Sequence, residues 1–206
     1  MIRILTPMAV LAVTATLSGC AVLKTPDPVQ TYRFGAMPVF ARADAVAKSC
    51  EPVPVSLRRI DFESASRGDR LLTVTGSETA YIGTGRWVSQ AETLFHSSLE
   101  DAFAAGAPCV RLASGSFARD GLLLSVDVRR FETVYASAGA VPDVHVSVAV
   151  HLTNREREVV ASNRFDSIES AGENRVASIV AAYNRANADV TRQIVEWTAT
   201  EVAVVR

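Results

Sequence analysis

Alternation of large aliphatic residues with polar or small ones between positions 144 and 152 is the feature that most constrains the fold of this chain. A side-chain period of two places one set of residues on each face of a β-strand. The same period recurs before and after this stretch, so we expect an antiparallel meander with one buried face. The apolar positions are Leu124, Val126 and Val128, then Val144, Val146, Val148, Val150 and Leu152, and finally Val159, Ala161 and Phe165.

The period changes to that of a helix in two places. Apolar residues at helical spacing predict a helix over Ser89–Ala105, with Ser89 as N-cap and Glu92 completing a capping box. A second stripe predicts a helix of about 26 residues over Glu173–Thr198. Two helices on one face of a mainly antiparallel sheet form an α+β fold. The stripes comprise Ala91, Leu94, Phe95, Leu99, Ala102 and Phe103, and Val176, Ile179, Val180, Tyr183, Ala186, Val190, Ile194 and Trp197.

Weaker patterns predict four further strands. Tyr32–Phe34 is the expected first strand. The alternation over Val55–Phe62 is imperfect, which suggests an edge strand or a bulge. Leu71–Thr75 and Ala80–Val88 are expected to form a hairpin around a turn at 76–78.

The N-terminal segment has the layout of a secretory signal. Arg3 precedes an apolar stretch over Ile4–Leu17, which as a helix would measure about 21 Å against a hydrocarbon core of about 30 Å. The sequence Leu17-Ser18-Gly19-Cys20 resembles the lipobox of bacterial lipoproteins. The alternative is an ordinary signal peptide, which needs no cysteine after the cleavage site.

The lipobox resemblance implies that residues 1–19 are removed and that Cys20 carries acyl chains. Ala21 stands where Asp commonly marks retention in the inner membrane, which favours the periplasmic face of the outer membrane. Pro26 and Pro28 indicate an extended tether over residues 20–31, followed by one domain over 32–206.

Composition excludes several classes of protein. The chain has 206 residues, 21 Lys and Arg against 22 Asp and Glu, and a net charge of −1, so it lacks the basic excess of a nucleic-acid binder. If Cys20 is acylated, Cys50 and Cys109 remain as an even pair in an oxidising compartment. We expect a disulfide between them, and two separate buried thiols are the alternative.

No constellation of catalytic or metal-binding residues is evident in the sequence. Gly83-Thr84-Gly85-Arg86 resembles a fragment of a phosphate loop, but it lies within a strand pattern. His145 and His151 share the polar face of one strand, about 20 Å apart at roughly 3.3 Å per residue, which is too far for a common metal. His96 has no obvious acidic partner. We therefore expect a protein without enzymatic activity, cofactor or metal.

The order of these features resembles the ABC-type transport auxiliary lipoproteins, the PqiC-like family found beside MCE-domain lipid transporters. Arg86-Trp87 is the most recognisable element of the resemblance. The features that carry it are the lipobox, the tether, Tyr32-Arg33-Phe34, Arg59-Ile60-Asp61, Tyr81 through Trp87, the first helix, the strand from Ser125 to Glu132, the meander and the terminal helix ending near Trp197.

The resemblance implies an outer-membrane component that docks the periplasmic end of an MCE ring or tube and assists transport of phospholipids or other apolar molecules. Arg86 and Trp87 are the candidate partner contacts, because Arg and Trp are enriched in interface hot spots. Their alternative is a core Trp with a stacked Arg. Two other functions stay open, namely a periplasmic carrier of an apolar ligand and a structural envelope lipoprotein. A ring-shaped partner also makes a homo-oligomer plausible.

Overall fold

The computed structural model describes residues 29–40, 50–113 and 121–204 of the chain. The signal segment, Cys20 and most of the expected tether lie outside these residues. In the described part of the chain, no helix is both long and apolar enough to span a bilayer.

The described residues form nine strands and two helices. They are β1 (Gln30–Tyr32), β2 (Val53–Leu57), β3 (Asp61–Phe62), β4 (Arg70–Thr75), β5 (Glu78–Trp87), α1 (Ala91–Gly106), β6 (Val110–Ala113), β7 (Leu122–Tyr135), β8 (Asp143–Thr153), β9 (Val159–Ser170) and α2 (Val176–Val204). The expected α+β class, with two helices and a large sheet, is confirmed.

Strand β7 organises the sheet. It pairs antiparallel with β8 along its length, and β8 pairs antiparallel with β9, so the expected meander is present. On its other side β7 pairs in parallel with β2, β3 and β4 in turn. Strand β1 also pairs in parallel with β5, and β6 pairs in parallel with β2. The sheet is therefore mixed. The longest ladders remain antiparallel, as the alternation predicts.

Several strand boundaries differ from the prediction. The first strand is Gln30–Tyr32, so it begins inside the expected tether and ends before Phe34. The predicted strand Val55–Phe62 is interrupted, since residues 58–60 separate β2 from β3. The edge interpretation was wrong for β2, which lies between β6 and β7, whereas the short β3 pairs with β7 alone among the described strands. Val159 is 60% exposed and lies beyond the register shift between Leu152 and Thr153, so it does not share the buried face with Phe165.

Both predicted helices are present. All six apolar residues of the α1 stripe are buried. The predicted N-cap was wrong: Gln90 occupies that position, and no side chain caps the helix. The N–H groups of Ala91 and Glu92 instead donate to the carbonyl oxygens of Gly68 and Arg67. Helix α2 ends at Val204, beyond the predicted Thr198, and Val202 in this extension is buried.

An aromatic cluster fills the space between the helices and the sheet. Phe131 on β7 lies at its centre, 4.7 Å from the ring of Tyr183 and 4.9 Å from that of Phe34. Edge-on and tilted contacts at these distances are favourable arrangements for aromatic rings. The cluster consists of Phe34, Phe62, Trp87, Phe95, Phe131 and Tyr183.

A disulfide joins Cys50 to Cys109, with a Cα–Cα distance of 5.6 Å. It ties the segment before β2 to the segment before β6. These two strands pair in parallel from Val53 and Val110 onward. The expected disulfide is therefore present, and the alternative of two separate thiols is excluded by the structure.

Candidate functional site

The end of β5 places the two candidate contact residues on opposite sides of the strand. Trp87 is 2% exposed, and its ring lies 4.9 Å from Phe34 and 5.1 Å from Tyr183. A side chain buried in this way has no surface to offer a partner, so the contact interpretation of Trp87 was wrong and the core alternative applies. Neighbouring residues of a strand point to opposite faces, and Arg86 is accordingly nearer the surface.

Arg86 is half exposed and bound to an acidic neighbour. Its side chain is 43% exposed, and its Nη1 atom lies 3.3 Å and 3.4 Å from the two carboxylate oxygens of Asp69. The core alternative had Arg86 stacked on Trp87, but the guanidinium pairs with Asp69 instead. The backbone carbonyl of Asp69 also accepts a hydrogen bond from the Trp87 N–H, at 2.7 Å. Arg86 therefore remains available as a surface contact.

A second cation lies opposite Arg86 on the neighbouring strand. Arg70 on β4 is in register with Arg86, and its guanidinium carbon lies 3.8 Å from the ring centroid of Tyr81. The Tyr81 hydroxyl in turn donates to the carbonyl oxygen of Ala65. Asp69 thus holds Arg86 in a fixed orientation, and Tyr81 does the same for Arg70. We call Asp69, Arg70, Tyr81 and Arg86 the β4–β5 arginine patch.

A surface depression of about 520 Å³ lies at the corner between β5 and α1, beside this patch. Thr93 from the first turn of α1 lines one part of it, and the Asp69 loop lines another. The depression is large enough for one or two side chains of a partner. Its lining residues are Gly68, Asp69, Trp87, Val88, Ser89, Gln90 and Thr93.

Glu92 joins the start of α1 to two arginines. Its carboxylate lies 3.1 Å from Nε of Arg59 and 3.7 Å from Nε of Arg67. A carboxylate in the first turn of a helix is also favoured by the helix dipole. The predicted capping role of Glu92 was wrong, because the backbone of the 67–68 loop already satisfies the first N–H groups and leaves the side chain to the arginines.

The candidate metal and phosphate sites do not assemble in the described residues. Contrary to the prediction, His96 does have an acidic partner. Its Nδ1 atom lies 3.3 Å from Oε2 of Glu100, one turn later on α1. His145 and His151 lie half-buried on β8. Among the described residues, no group of three or more His, Cys, Asp or Glu side chains is placed to hold a metal ion.

Gly85 lies within strand β5, where it allows close packing. It pairs with Gln30 of β1. A Cβ atom at this position would lie 2.9 Å from Cγ1 of Val176 and 3.3 Å from the Tyr32 ring. The strand interpretation of Gly83–Arg86 is confirmed, because these residues lie within β5, and the register of β5 against β4 shifts between Tyr81 and Arg86.

Tyr183 carries the most perturbed ionisable group of the described core. Burial raises the pKa of its hydroxyl well above the usual value, while the hydrogen bond donated by Thr133, at 3.2 Å, opposes part of the increase. The phenol therefore stays protonated at physiological pH. Its role is structural, because it packs among Trp87 and Phe131 rather than at a surface.

The sequence profile of the family described as "ABC-type transport auxiliary lipoprotein component" matches residues 41–195. The chain belongs to this family. This is a family of lipoproteins that are auxiliary components of ABC-type transport, so membership associates the chain with an ABC transporter, fits a lipid-anchored protein and supports a non-enzymatic role. No curated protein is significantly similar to the chain.

Two solved structures share the fold of the auxiliary lipoprotein. A DUF330 protein from Xanthomonas campestris has a TM-score of 0.70 at 22% identity, covering 83% of this chain and 95% of the other. A second structure, described only as an uncharacterized protein, has a TM-score of 0.62 at 15% identity, covering 72% of this chain and 94% of the other. These likenesses extend the fold assignment across most of the auxiliary lipoprotein.

Proposed function

We propose that this auxiliary lipoprotein is anchored through Cys20 at the periplasmic face of the outer membrane, where it docks the MCE-domain subunit of an ABC transporter. The transporter moves phospholipids or other apolar molecules between the membranes. In this proposal residues 1–19 are removed, the tether runs from Cys20 to the start of β1 at Gln30, and the docking domain follows. The family match over residues 41–195 is the observation that carries the proposal.

The packed core favours docking over carrying a ligand. A carrier needs an enclosed apolar cavity, commonly of about 300–1,000 Å³. The space between helices and sheet instead holds the aromatic cluster, in which neighbouring rings approach to 4.7 Å. A closed core of this kind is suited to presenting a rigid surface to a partner.

The β4–β5 arginine patch is the proposed contact with the transporter. Arg86 and Arg70 are each oriented by a partner, so little side-chain entropy is lost when a second protein binds them. Trp87 contributes to this contact indirectly. Its ring is buried in the core, which fixes the end of β5 that carries Arg86. The partner surface would be acidic at the point of contact with Arg86.

Affinity capture tests the proposed partner. The full chain, tagged at its C-terminus and expressed with the transporter, should retain the MCE-domain subunit after detergent extraction of the envelope. Arg86→Glu should reduce this capture. Arg175→Glu is the matched control, because Arg175 is also paired with an acid, Glu173, and its side chain is 80% exposed. Equal capture by both variants would remove Arg86 from the interface, and absence of the subunit from the wild-type sample would refute the partner.

Mass spectrometry of organic extracts distinguishes docking from carrying. Docking predicts that the purified domain, once freed of its own acyl anchor, contains no stoichiometric lipid. Stoichiometric non-covalent lipid would instead support the carrier. Retention of unrelated envelope-assembly proteins in the absence of any transporter subunit would support the structural role.

A further inference from the structure

Exposed apolar side chains are frequent in and beside the first described segment, which follows the tether. Nine large hydrophobic side chains are exposed in the described residues, and four of them lie in or beside the first described segment. Isolated exposed hydrophobic residues are common, but a concentration of them marks an interaction site. The four, which we call the anchor-side surface, are Val29 (44% exposed), Met37 (58%), Val39 (87%) and Val88 (51%).

The segment that bears these side chains is fixed to the body rather than loose. Strand β1 pairs with the end of β5, and the Val88 N–H donates to the Tyr32 carbonyl oxygen at 2.7 Å. Farther along, the amide oxygen of Asn184 accepts hydrogen bonds from the N–H groups of Gly35 and Ala36, at 3.0 Å and 3.2 Å. The exposed side chains therefore have defined positions.

The same segment has an inner and an outer side. Phe34 and Pro38 are buried, and the Phe40 ring packs against Gly106 at the end of α1. Met37 and Val39 alternate with these residues and face away from the body. Their exposure follows from the path of the segment, because Phe34, Pro38 and Phe40 already fill the inward positions.

The charge of this segment suits a phospholipid surface. Between residues 29 and 40 the sequence contains one cation, Arg33, and no carboxylate. Tyr32 is half-buried at the start of the segment, and tyrosine and arginine are frequent at the headgroup level of membranes. The combination of exposed aliphatic side chains, one arginine and no acid resembles the composition of interfacial segments.

The length of the chain before this segment indicates that a membrane is the surface it meets. Eight residues separate Cys20 from Val29, so nine steps along the chain join them, and at about 3.3 Å per step they span at most roughly 30 Å. If Cys20 is acylated, Val29 can never lie farther than this from the bilayer, and Met37 and Val39 follow within ten residues of Val29. The tether therefore holds this surface nearer the membrane than other parts of the described domain, and gives it the highest effective concentration there.

We propose that the anchor-side surface rests in the interface of the leaflet that holds the acyl chains of Cys20, so that Met37 and Val39 enter the headgroup region. This inference rests on the proposed acylation. Its consequence is a defined orientation: the acyl chains alone would let the body rotate on its tether, whereas the second contact fixes which side faces the periplasm and the transporter.

The test uses the acylated full-length mature protein in vesicles of phosphatidylethanolamine and phosphatidylglycerol that contain nitroxide-labelled lipid. Val39→Cys provides a free thiol for a fluorescent label, because the native cysteines are bonded to each other or, in this proposal, acylated. Ile168→Cys is the matched control, since Ile168 on β9 is 64% exposed but lies far from the tether in sequence. Interfacial side chains lie about 5–10 Å into the headgroup boundary, so quenching at position 39 should exceed that at 168 at least about threefold.

Equal quenching at the two positions in protein of confirmed acylated mass would overturn the inference and leave the anchor intact. A mature mass without acyl chains would refute the proposed anchor itself. If the label at position 39 is unquenched in vesicles and becomes shielded only when the transporter subunit is added, a protein occupies this surface and the lipid assignment is wrong. Met37→Cys repeats the measurement should the Val39 variant fail to fold.

Discussion

The amide oxygen of Asn184 lies 3.0 Å from the backbone nitrogen of Gly35, a residue 149 positions earlier in the chain. This contact joins the first described segment to the last helix. Gly35 has a φ of +117°, a conformation that favours glycine, and a Cβ atom there would lie 3.6 Å from that of Ser98 on α1. That distance is an ordinary contact, so the backbone conformation, and not lack of space, favours glycine where the segment that follows the tether crosses both helices.

Asn184→Ala should loosen this crossing without unfolding the protein. The substitution removes the acceptor for two backbone N–H groups, each hydrogen bond contributing about 1 kcal/mol. Hydrogen exchange at Gly35 and Ala36 should accelerate, and the midpoint of thermal unfolding should fall slightly. Asn163→Ala is the control, because the amide oxygen of Asn163 accepts its hydrogen bond from the N–H of the very next residue, Arg164. Unchanged exchange at Gly35 would show that Asn184 does not hold the segment.

Trp87 and Arg86 should have separate effects. Trp87→Ala should lower the free energy of unfolding by about 3–5 kcal/mol, because it removes a buried ring from the aromatic cluster. Arg86→Ala breaks a half-exposed ion pair and should change stability by less than about 1 kcal/mol. Urea unfolding followed by circular dichroism measures both. A Trp87→Ala variant of wild-type stability would contradict the placement of this ring in the core.

Gly85→Ala should destabilise the domain, whereas Gly83→Ala should be nearly neutral. An added Cβ at Gly85 meets Val176 at 2.9 Å, and at Gly83 it meets nothing within 4 Å. Overpacking of this kind costs about 1–3 kcal/mol. Adding Val176→Ala to the Gly85 variant should restore part of the loss. If both glycine variants unfold at the same urea concentration, close packing does not explain Gly85.

Loss of the disulfide should lower stability substantially. The bond connects cysteines 59 positions apart, for which loop-closure entropy gives about 4 kcal/mol. The Cys50→Ala, Cys109→Ala double variant should therefore unfold at a clearly lower urea concentration than the oxidised protein. Reduction of the wild type under mild conditions should produce a similar shift. Identical midpoints for oxidised and reduced protein would contradict a stabilising role.

Local periodicity predicted most of the elements but not all of their neighbours. One face of each long element is buried, and this leaves a clear period in the sequence. The apolar stripes were therefore sufficient to predict α1 and α2, and the alternation was sufficient to predict β7 and β8. The parallel pairing of β7 with β2 and β4 involves strands far apart in sequence. Alternation shows which face of a strand is buried, but it carries no information on which strand lies beside it.

The candidate site was predictable only in part. Because adjacent residues of a strand face opposite sides, Arg86 and Trp87 could not both have been surface contacts, and this signal was available in the sequence. The ion pairs of Arg86 with Asp69 and of Glu92 with Arg59 were not predictable, since each joins residues that only the tertiary fold brings together. The ion pair of His96 with Glu100 follows ordinary helical spacing and could have been found.

Photo-crosslinking in intact cells tests the central claim most directly. Lys24 and Lys48 are the only lysines of the chain, so amine-reactive reagents sample little of its surface, and a photoreactive residue in place of Arg86 is preferable. With the transporter at its natural level, the docking account predicts a crosslinked product that contains the MCE-domain subunit. The product should diminish when Cys20→Ser removes the anchor. Acylated protein at the outer membrane that yields no such product, at position 86 or at other exposed positions of the domain, would contradict the account.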